Sequence, residues 1–163
     1  MSYVGVKGLA ELQTFLSTLP VKVEKNIMRS ALRQGANVLK EEAQKNLSDN
    51  VETGKLREGL KVSTNAKRGT VYAYVKAKGK HGYIAHWIEY GVLPHSLKKG
   101  AKRKSGKYQN VGRKHQGFSA HPFMRPALDT KSQQALMAVG QRIKERLTEI
   151  GINTPDVELE ISL

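Results

Sequence analysis

The sequence predicts an α+β fold, in which an antiparallel sheet with a central hairpin packs against two or three helices. Two observations carry this prediction. In three segments apolar residues recur at intervals of three and four, which is the period of an amphipathic helix. Between the second and third segments the interval falls to two, which is typical of strands. We therefore predict helices on either side of a hairpin at residues 60–78.

The three predicted helices differ in the residues that mark them. The first has a stripe of leucines that Pro20 ends: Leu9, Leu12, Leu16 and Leu19. The second covers residues 21–47, and small residues such as Gly35 would let a neighbouring element approach it closely. The third ends at Gly151, which would cap it. Its apolar stripe consists of Leu136, Val139, Ile143, Leu147 and Ile150.

The strand pattern is clearest at residues 70–77, where Val71, Ala73 and Val75 alternate with Tyr72 and Tyr74. A weaker alternation precedes it, and the letters KRG between the two runs form a turn candidate. Residues 82–91 fit either a strand or a helix of two turns, since the apolar run is short, and Gly91 would end either.

Two prolines flank the start of the third helix. Pro122 and Pro126 fix their own backbone angles and push the preceding residues out of the helical region. Proline is also favoured at the first helical position, so Pro126 would open the helix. Phe123 and Met124 would then be held in a stiff lead-in, either as core residues beneath the helix or as an apolar contact to another subunit. Burial in the core is favoured for Phe123, because large aromatic side chains are most often buried.

The charge of the chain is strongly basic and uneven. Lysine and arginine total 28 against 14 acidic residues, a formal net charge of +14. A long loop at about residues 92–117 has no acidic residue and indicates a polyanionic or acidic partner. A solvated loop without a partner is the alternative. The basic residues of the loop are Lys98, Lys99, Lys102, Arg103, Lys104, Lys107, Arg113 and Lys114.

Residues 1–152 are predicted to form a single domain, followed by an acidic strand or tail at residues 153–163. In that segment Val157, Leu159 and Ile161 alternate with acidic residues. Such a strand would add to a sheet edge of its own subunit or of a neighbour. A frayed tail is the alternative.

Several classes of protein are disfavoured. The chain has no cysteine, no apolar run of about 18 residues for a membrane span and no secretory signal, so we expect folding in a cytoplasm. His86 and Glu89 are three residues apart, but no zinc-protease, di-iron or nucleophile-elbow motif is present. We predict no catalytic, metal-binding or cofactor-binding residue, and therefore neither an enzyme nor a cofactor.

Non-specific nucleic-acid binding is the main alternative function. Residues 98–114 carry enough charge to neutralise several phosphates, and Tyr108 and Phe118 could stack on bases. The sequence has no helix-turn-helix, zinc-finger or ribonucleoprotein motif. A basic loop of this kind would bind the backbone without recognising base sequence.

Three blocks, TGKLREGLKV, IAHWIEYG and AHPFMRPAL, occur in this order in the chain. Together they resemble the neck or tail-completion family of long-tailed bacteriophages, which is related to the minor tail protein Z of lambda. The resemblance covers roughly residues 9–150. It implies a fold similar to phage tail terminators and a structural role in a ring of six or twelve copies at the head–tail junction of the virion. The implied partners are head-completion, tail-terminator or tail-tube proteins and DNA in the lumen, with no membrane.

The resemblance also implies roles for particular residues. Thr53 and Gly54 would shape the turn before the hairpin, and Leu56 would anchor it. Glu89 would form a buried ion pair with Arg125 or Arg57, so that Arg125→Ala would be markedly destabilised. The motif residues are Thr53, Gly54, Leu56, Arg57, Glu89, Gly91, Pro122, Arg125 and Pro126. The expected interface residues are Phe123, Met124, Val157, Leu159 and Ile161.

Overall fold

Helices and strands are mixed in the structure, a computed structural model that describes residues 9–47, 54–79, 82–97, 100 and 112–151. The α+β class is therefore confirmed. Thr53, most of the basic loop and the acidic segment at residues 153–163 lie outside the described residues. The elements in chain order are α1 (Leu9–Ser17), α2 (Val21–Asn46), α3 (Lys55–Gly59), β1 (Leu60–Lys67), β2 (Thr70–Ala77), α4 (Ile84–Tyr90), β3 (His95–Ser96), β4 (Lys114–His115) and α5 (Met124–Glu149).

Helices α2 and α5 are the two longest elements, and they pack against each other in antiparallel orientation. One core cluster joins the start of α2 to the end of α5 and includes α1. Its buried members are Leu12, Leu16, Ile27, Ala31, Ile143 and Leu147. A second cluster joins the end of α2 to the start of α5 and includes the hairpin. Its buried members are Ala43, Leu47, Leu56, Leu60, Phe123 and Ala127.

The two long helices approach closely at Gly35, as its small size predicts. A Cβ atom placed on Gly35 would lie 2.5 Å from Val139 Cγ2 and 2.8 Å from the Ala135 carbonyl oxygen. Both distances are well below ordinary van der Waals contact, so this crossing requires glycine. Farther along, Arg142 Nε donates to Ser30 Oγ at 3.1 Å and ties α5 to α2.

The face that α5 buries differs in part from the predicted stripe. Ile143 and Leu147 are buried, whereas Leu136 and Ile150 are each 44% exposed. Ala135 lies against Gly35 of α2 instead, and Gly140 is also buried. The reason is the close approach at Gly35, which favours small side chains on the contact line and leaves Leu136 at its margin.

The hairpin is confirmed at the predicted residues. Leu60 pairs with Ala77 and Lys67 with Thr70, and the two-residue turn between the strands has positive φ at Arg68 (52°) and Gly69 (83°). That combination defines a type I′ turn, whose twist matches that of antiparallel strands.

Helix α5 begins earlier than predicted. Its first residue is Met124, with Phe123 as N-cap, so Pro126 occupies the third helical position rather than the first. Proline is tolerated there because the first four N–H groups of a helix have no intrahelical acceptor. At the other end Gly151 has φ of 73° and donates to the Thr148 carbonyl, as expected of a C-terminal cap.

The two ends of the expected loop at residues 92–117 pair with each other, which its lack of periodicity did not indicate. β3 and β4 form a short antiparallel ladder, and Val92 and Phe118 form an additional bridge. Residues 82–91, which fitted a strand or a helix, contain α4. Over the ranges that the structure describes, no helix has the length and apolar character needed to cross a membrane.

Candidate interface site

Glu89, on α4, binds the first turn of α5 with its carboxylate. Oε2 accepts from the backbone N–H of Phe123 and of Met124, each at 2.9 Å, and Oε1 accepts from the N–H of Arg125 at 3.1 Å. The side chain is only 7% exposed. The first N–H groups of a helix lack intrahelical acceptors and carry a partial positive charge, so a carboxylate suits this position. Glu89 therefore fixes α4 against the start of α5.

The ion pair expected of Glu89 is replaced by these backbone bonds. Among the described residues neither Arg125 nor Arg57 forms a salt bridge with it. The Arg125 guanidinium instead lies over the Tyr90 ring, 4.8 Å from the centroid. Arg57 is exposed on α3, where its carbonyl accepts from Gln44 Nε2 at 2.7 Å. The sequence shows charged side chains but not which backbone N–H groups a fold leaves unpaired, and so it missed this partner.

Backbone bonds further join the second and third sequence blocks. His121 N–H donates to the Ile88 carbonyl at 2.8 Å, and Val92 and Phe118 exchange two bonds of 3.0 and 2.9 Å. Gly91 has φ of 73°, and a Cβ atom there would lie 2.8 Å from the Ala120 nitrogen. Gly91 thus ends α4 as predicted and lets the segment at residues 118–120 pass closely.

The first block reaches the same region through Leu56. Leu56 is buried in the cluster that contains Phe123, and Gly54, with φ of 64°, precedes α3. The three blocks that carried the resemblance therefore meet in space. Phe123 is only 2% exposed, so it is a core residue and has no surface left for a contact with another subunit. Met124 is half-buried beside it.

A neighbouring side of α4 exposes aromatic residues, which we call the aromatic face: Tyr83, His86, Trp87, Tyr90 and the adjoining Leu93. Trp87 is 45% exposed and Leu93 84%. Tyr83 and Trp87 pack edge to face with centroids 5.1 Å apart, and His86 lies 4.8 Å from Tyr90. Large exposed apolar patches mark interaction sites in soluble proteins. The sequence pattern did not predict this face, although the run YIAHWIEY contains its aromatic residues.

The short ladder next to the aromatic face carries basic residues. The rings of His95 and His115 stack across it at 5.1 Å, and Arg113 and Lys114 are exposed. The remaining predicted basic residues lie outside the described residues: Lys98, Lys99, Lys102, Arg103, Lys104 and Lys107.

An apolar groove runs between β2 and α5, with α2 as its floor. It comprises two adjoining cavities of about 480 and 460 Å³. Both cavities are lined by Ala36 and Leu39 of α2, Ala73 of β2 and Leu128 of α5. Met124 and Arg125 line one end of this groove, so part of the third block faces it.

A family model matches residues 10–91, and its description is HK97-gp10-like, "Bacteriophage HK97-gp10, putative tail-component". The chain belongs to this family. The HK97-gp10-like match extends from α1 to the end of α4 and includes the first two blocks, whereas the third block lies beyond it. Glu89, near the end of the matched range, makes the contact that joins the third block to the rest.

Membership of the HK97-gp10-like family identifies the chain as a structural component of a phage tail. Searches of curated proteins and of solved structures found no match. In the parts of the chain that the structure describes, no group of three or more histidine, aspartate or glutamate side chains is placed to hold a metal ion.

Proposed function

We propose that this HK97-gp10-like protein is a subunit of the head–tail junction, a neck or tail-completion ring of six or twelve copies. It caps or extends the tail and docks it to the head, and it acts by geometry without catalysis. The same proposal includes the relation to lambda protein Z and contacts with head-completion, tail-terminator or tail-tube proteins. The family match supports a tail component, and the aromatic face supports a protein partner.

The main support for the proposal is that the aromatic face is held rigidly on the fold. Trp87 and Tyr83 project from the same short helix whose Glu89 is bound to three N–H groups of α5. A rigid aromatic surface loses little conformational freedom on binding, which favours it as the centre of a protein interface. Assembly into a ring requires such a fixed surface, because small errors in angle accumulate around the closed symmetry.

Substitution of Trp87 by serine tests the aromatic face. We expect the free energy of unfolding to change by less than about 1 kcal/mol, since the side chain is half exposed. The yield of infectious particles should fall by about thirtyfold or more, as for the loss of an interface hot spot worth about 2 kcal/mol. The measurement is the titre after complementation of a phage that lacks the gene. Val21→Ser, at an exposed apolar residue at the start of α2, is the matched control and should leave the titre unchanged. An unchanged titre with Trp87→Ser would count against the proposal.

Non-specific nucleic-acid binding through residues 98–114 is the second candidate, and the net charge of +14 and the exposed Arg113 and Lys114 favour it. It requires DNA binding that weakens steeply with added salt and is lost when the loop lysines are replaced by glutamine. Under the structural proposal the same replacements impair particle assembly, and affinity for free DNA is weak throughout. The structural proposal also includes contact of the loop with DNA in the lumen of the ring.

A further inference from the structure

The outer edge of β2 has unpaired backbone groups beside the apolar groove. Lys78 N–H donates to the Gly59 carbonyl at 2.8 Å, and bonded pairs recur at every second position of an antiparallel ladder. Tyr72 and Tyr74 therefore bond to β1, whereas Val71, Ala73 and Val75 direct their N–H and C=O groups to the other edge. Among the described residues no backbone group outside the hairpin bonds to this edge. An edge of this kind is a template for a further strand.

The groove beside this edge has room for the apolar side of a strand. Its lining is apolar and includes small side chains such as Ala36, Ala73 and Ala127, and its rim exposes Leu128 and Leu136. Along α5 the groove extends from Met124 to Val139, which is about 22 Å at a rise of about 1.5 Å per residue.

Residues 156–163 match the groove in length and pattern. As an extended strand they span about 26 Å at about 3.3 Å per residue. Their apolar side chains occupy every second position and would share one face: Val157, Leu159, Ile161 and Leu163. The alternating acidic residues would lie on the opposite face, away from the groove.

The charge of the hairpin complements this acidic face. Residues 60–79 contain five basic and no acidic residues. On the face that points away from α2, Lys61 lies directly opposite Lys76, a like-charged pair that is unfavourable in a sheet. A strand along β2 would place Glu158 or Glu160 on this same face, next to Lys76.

The direction of α5 allows residues 156–163 to reach the groove of the same subunit. α5 is antiparallel to β2, since its start lies beside Ala77 and Val139 lies beside Val71. It continues for about 15 Å beyond Val139 to Glu149, and beyond the cap at Gly151 an extended stretch of residues 152–156 would span up to about 17 Å. A segment that is tethered within reach has a millimolar effective concentration, which favours it over a second copy.

We infer that residues 156–163 bind in the groove of their own subunit as a third strand, parallel to β2. The apolar side chains fill the groove, and the acidic side chains lie beside Lys76. This strand covers the sheet edge and leaves Tyr83, Trp87 and Leu93 of the aromatic face exposed, whereas His86 and Tyr90 line the groove. The inference does not depend on the role at the head–tail junction.

Disulfide formation tests the placement, and the absence of native cysteine simplifies the experiment. Ala73→Cys, in the middle of the groove, is combined with a cysteine at position 157, 159 or 161, and in control proteins with one at position 158 or 160. We expect at least one apolar position to form an intrachain disulfide about tenfold faster than either acidic position, because a disulfide needs Cβ atoms about 4 Å apart. The products are measured by mass and by non-reducing electrophoresis in dilute protein. Disulfide-linked dimers in place of intrachain bonds would assign the groove to a second copy, and equal rates at all positions would show that the segment does not bind there. Either result overturns the inference.

Amide exchange provides an independent measurement in the full chain. We expect the amides of Val71, Ala73 and Val75 to exchange about tenfold or more faster in Leu159→Asp than in the natural protein, because the segment no longer covers them. The amides of Tyr72 and Tyr74 bond to β1 in both proteins and serve as internal controls. Equal exchange of Val71, Ala73 and Val75 in the two proteins would contradict the inference.

Discussion

Glu89→Gln should lower the free energy of unfolding by about 2–4 kcal/mol, the largest loss that we expect from a change of so few atoms. Glutamine keeps the size of the side chain but removes its charge and one acceptor oxygen. At least one of the three N–H groups of Phe123, Met124 and Arg125 then loses its partner in a buried place. For a chain of this length the midpoint of thermal unfolding should fall by about 5–15 °C. Urea and thermal unfolding followed by circular dichroism measure both quantities.

Two controls separate this contact from the ion pair that the sequence led us to expect. Arg125→Ala should cost only about 0.5–1 kcal/mol, because it removes an exposed contact with the Tyr90 ring while its backbone N–H still binds Glu89. Glu58→Gln, at an exposed carboxylate on α3, should have little effect. If Arg125→Ala proved as costly as Glu89→Gln, the guanidinium would be the essential partner and our account of the site would be wrong.

Gly35→Val is expected to lower the free energy of unfolding by about 2–3 kcal/mol or more. Its Cβ atom alone would lie 2.8 Å from the Ala135 carbonyl oxygen, and the backbone of α5 can yield only if the helices move apart. Gly35→Ala gains about 1 kcal/mol of helix propensity but meets the same oxygen, so it should be destabilising by a smaller amount. The free energies of unfolding of both variants and of the natural protein are measured by urea denaturation.

A double mutant identifies which atoms of α5 resist the new side chain. Val139→Ala removes the Cγ2 atom that lies 2.5 Å from the added Cβ, so it should recover part of the loss in Gly35→Ala. The rest should remain, because the Ala135 carbonyl is unchanged. Gln34→Ala, at the exposed neighbouring position, is the control for helix propensity. If Gly35→Val were as stable as the natural protein, α2 and α5 would not approach so closely at Gly35 and our account of this crossing would be wrong.

The sequence predicted the elements whose pattern repeats over several turns or pairs. The leucines before Pro20, the long second stripe and the alternation from Val71 to Val75 each extend far enough to separate a period of 3.6 from a period of two. The sequence does not assign α4 to a helix or a strand, because seven residues do not distinguish the two periods. Leu136 was placed wrongly because periodicity gives the angle of a face but not the size of the residues that the opposing helix accepts.

The candidate site was predictable in its residues but not in its bonds. The sequence blocks contain Glu89, Gly91, Phe123 and Arg125, and the structure brings all four together. The partner of Glu89 was missed because it consists of backbone N–H groups, which exist at every residue and become available only where a helix starts. The aromatic face was missed because exposure depends on which side of α4 packs against the core.

The position of the protein in the virion tests the central proposal most directly. Purified particles of the phage that encodes the chain would be labelled with a gold-tagged antibody against it and imaged by electron microscopy. We expect gold at the head–tail junction of intact particles and on tails detached at the neck. Intact particles that carry no copy of the chain, or label distributed along the tail shaft, would contradict a role as a neck or tail-completion subunit.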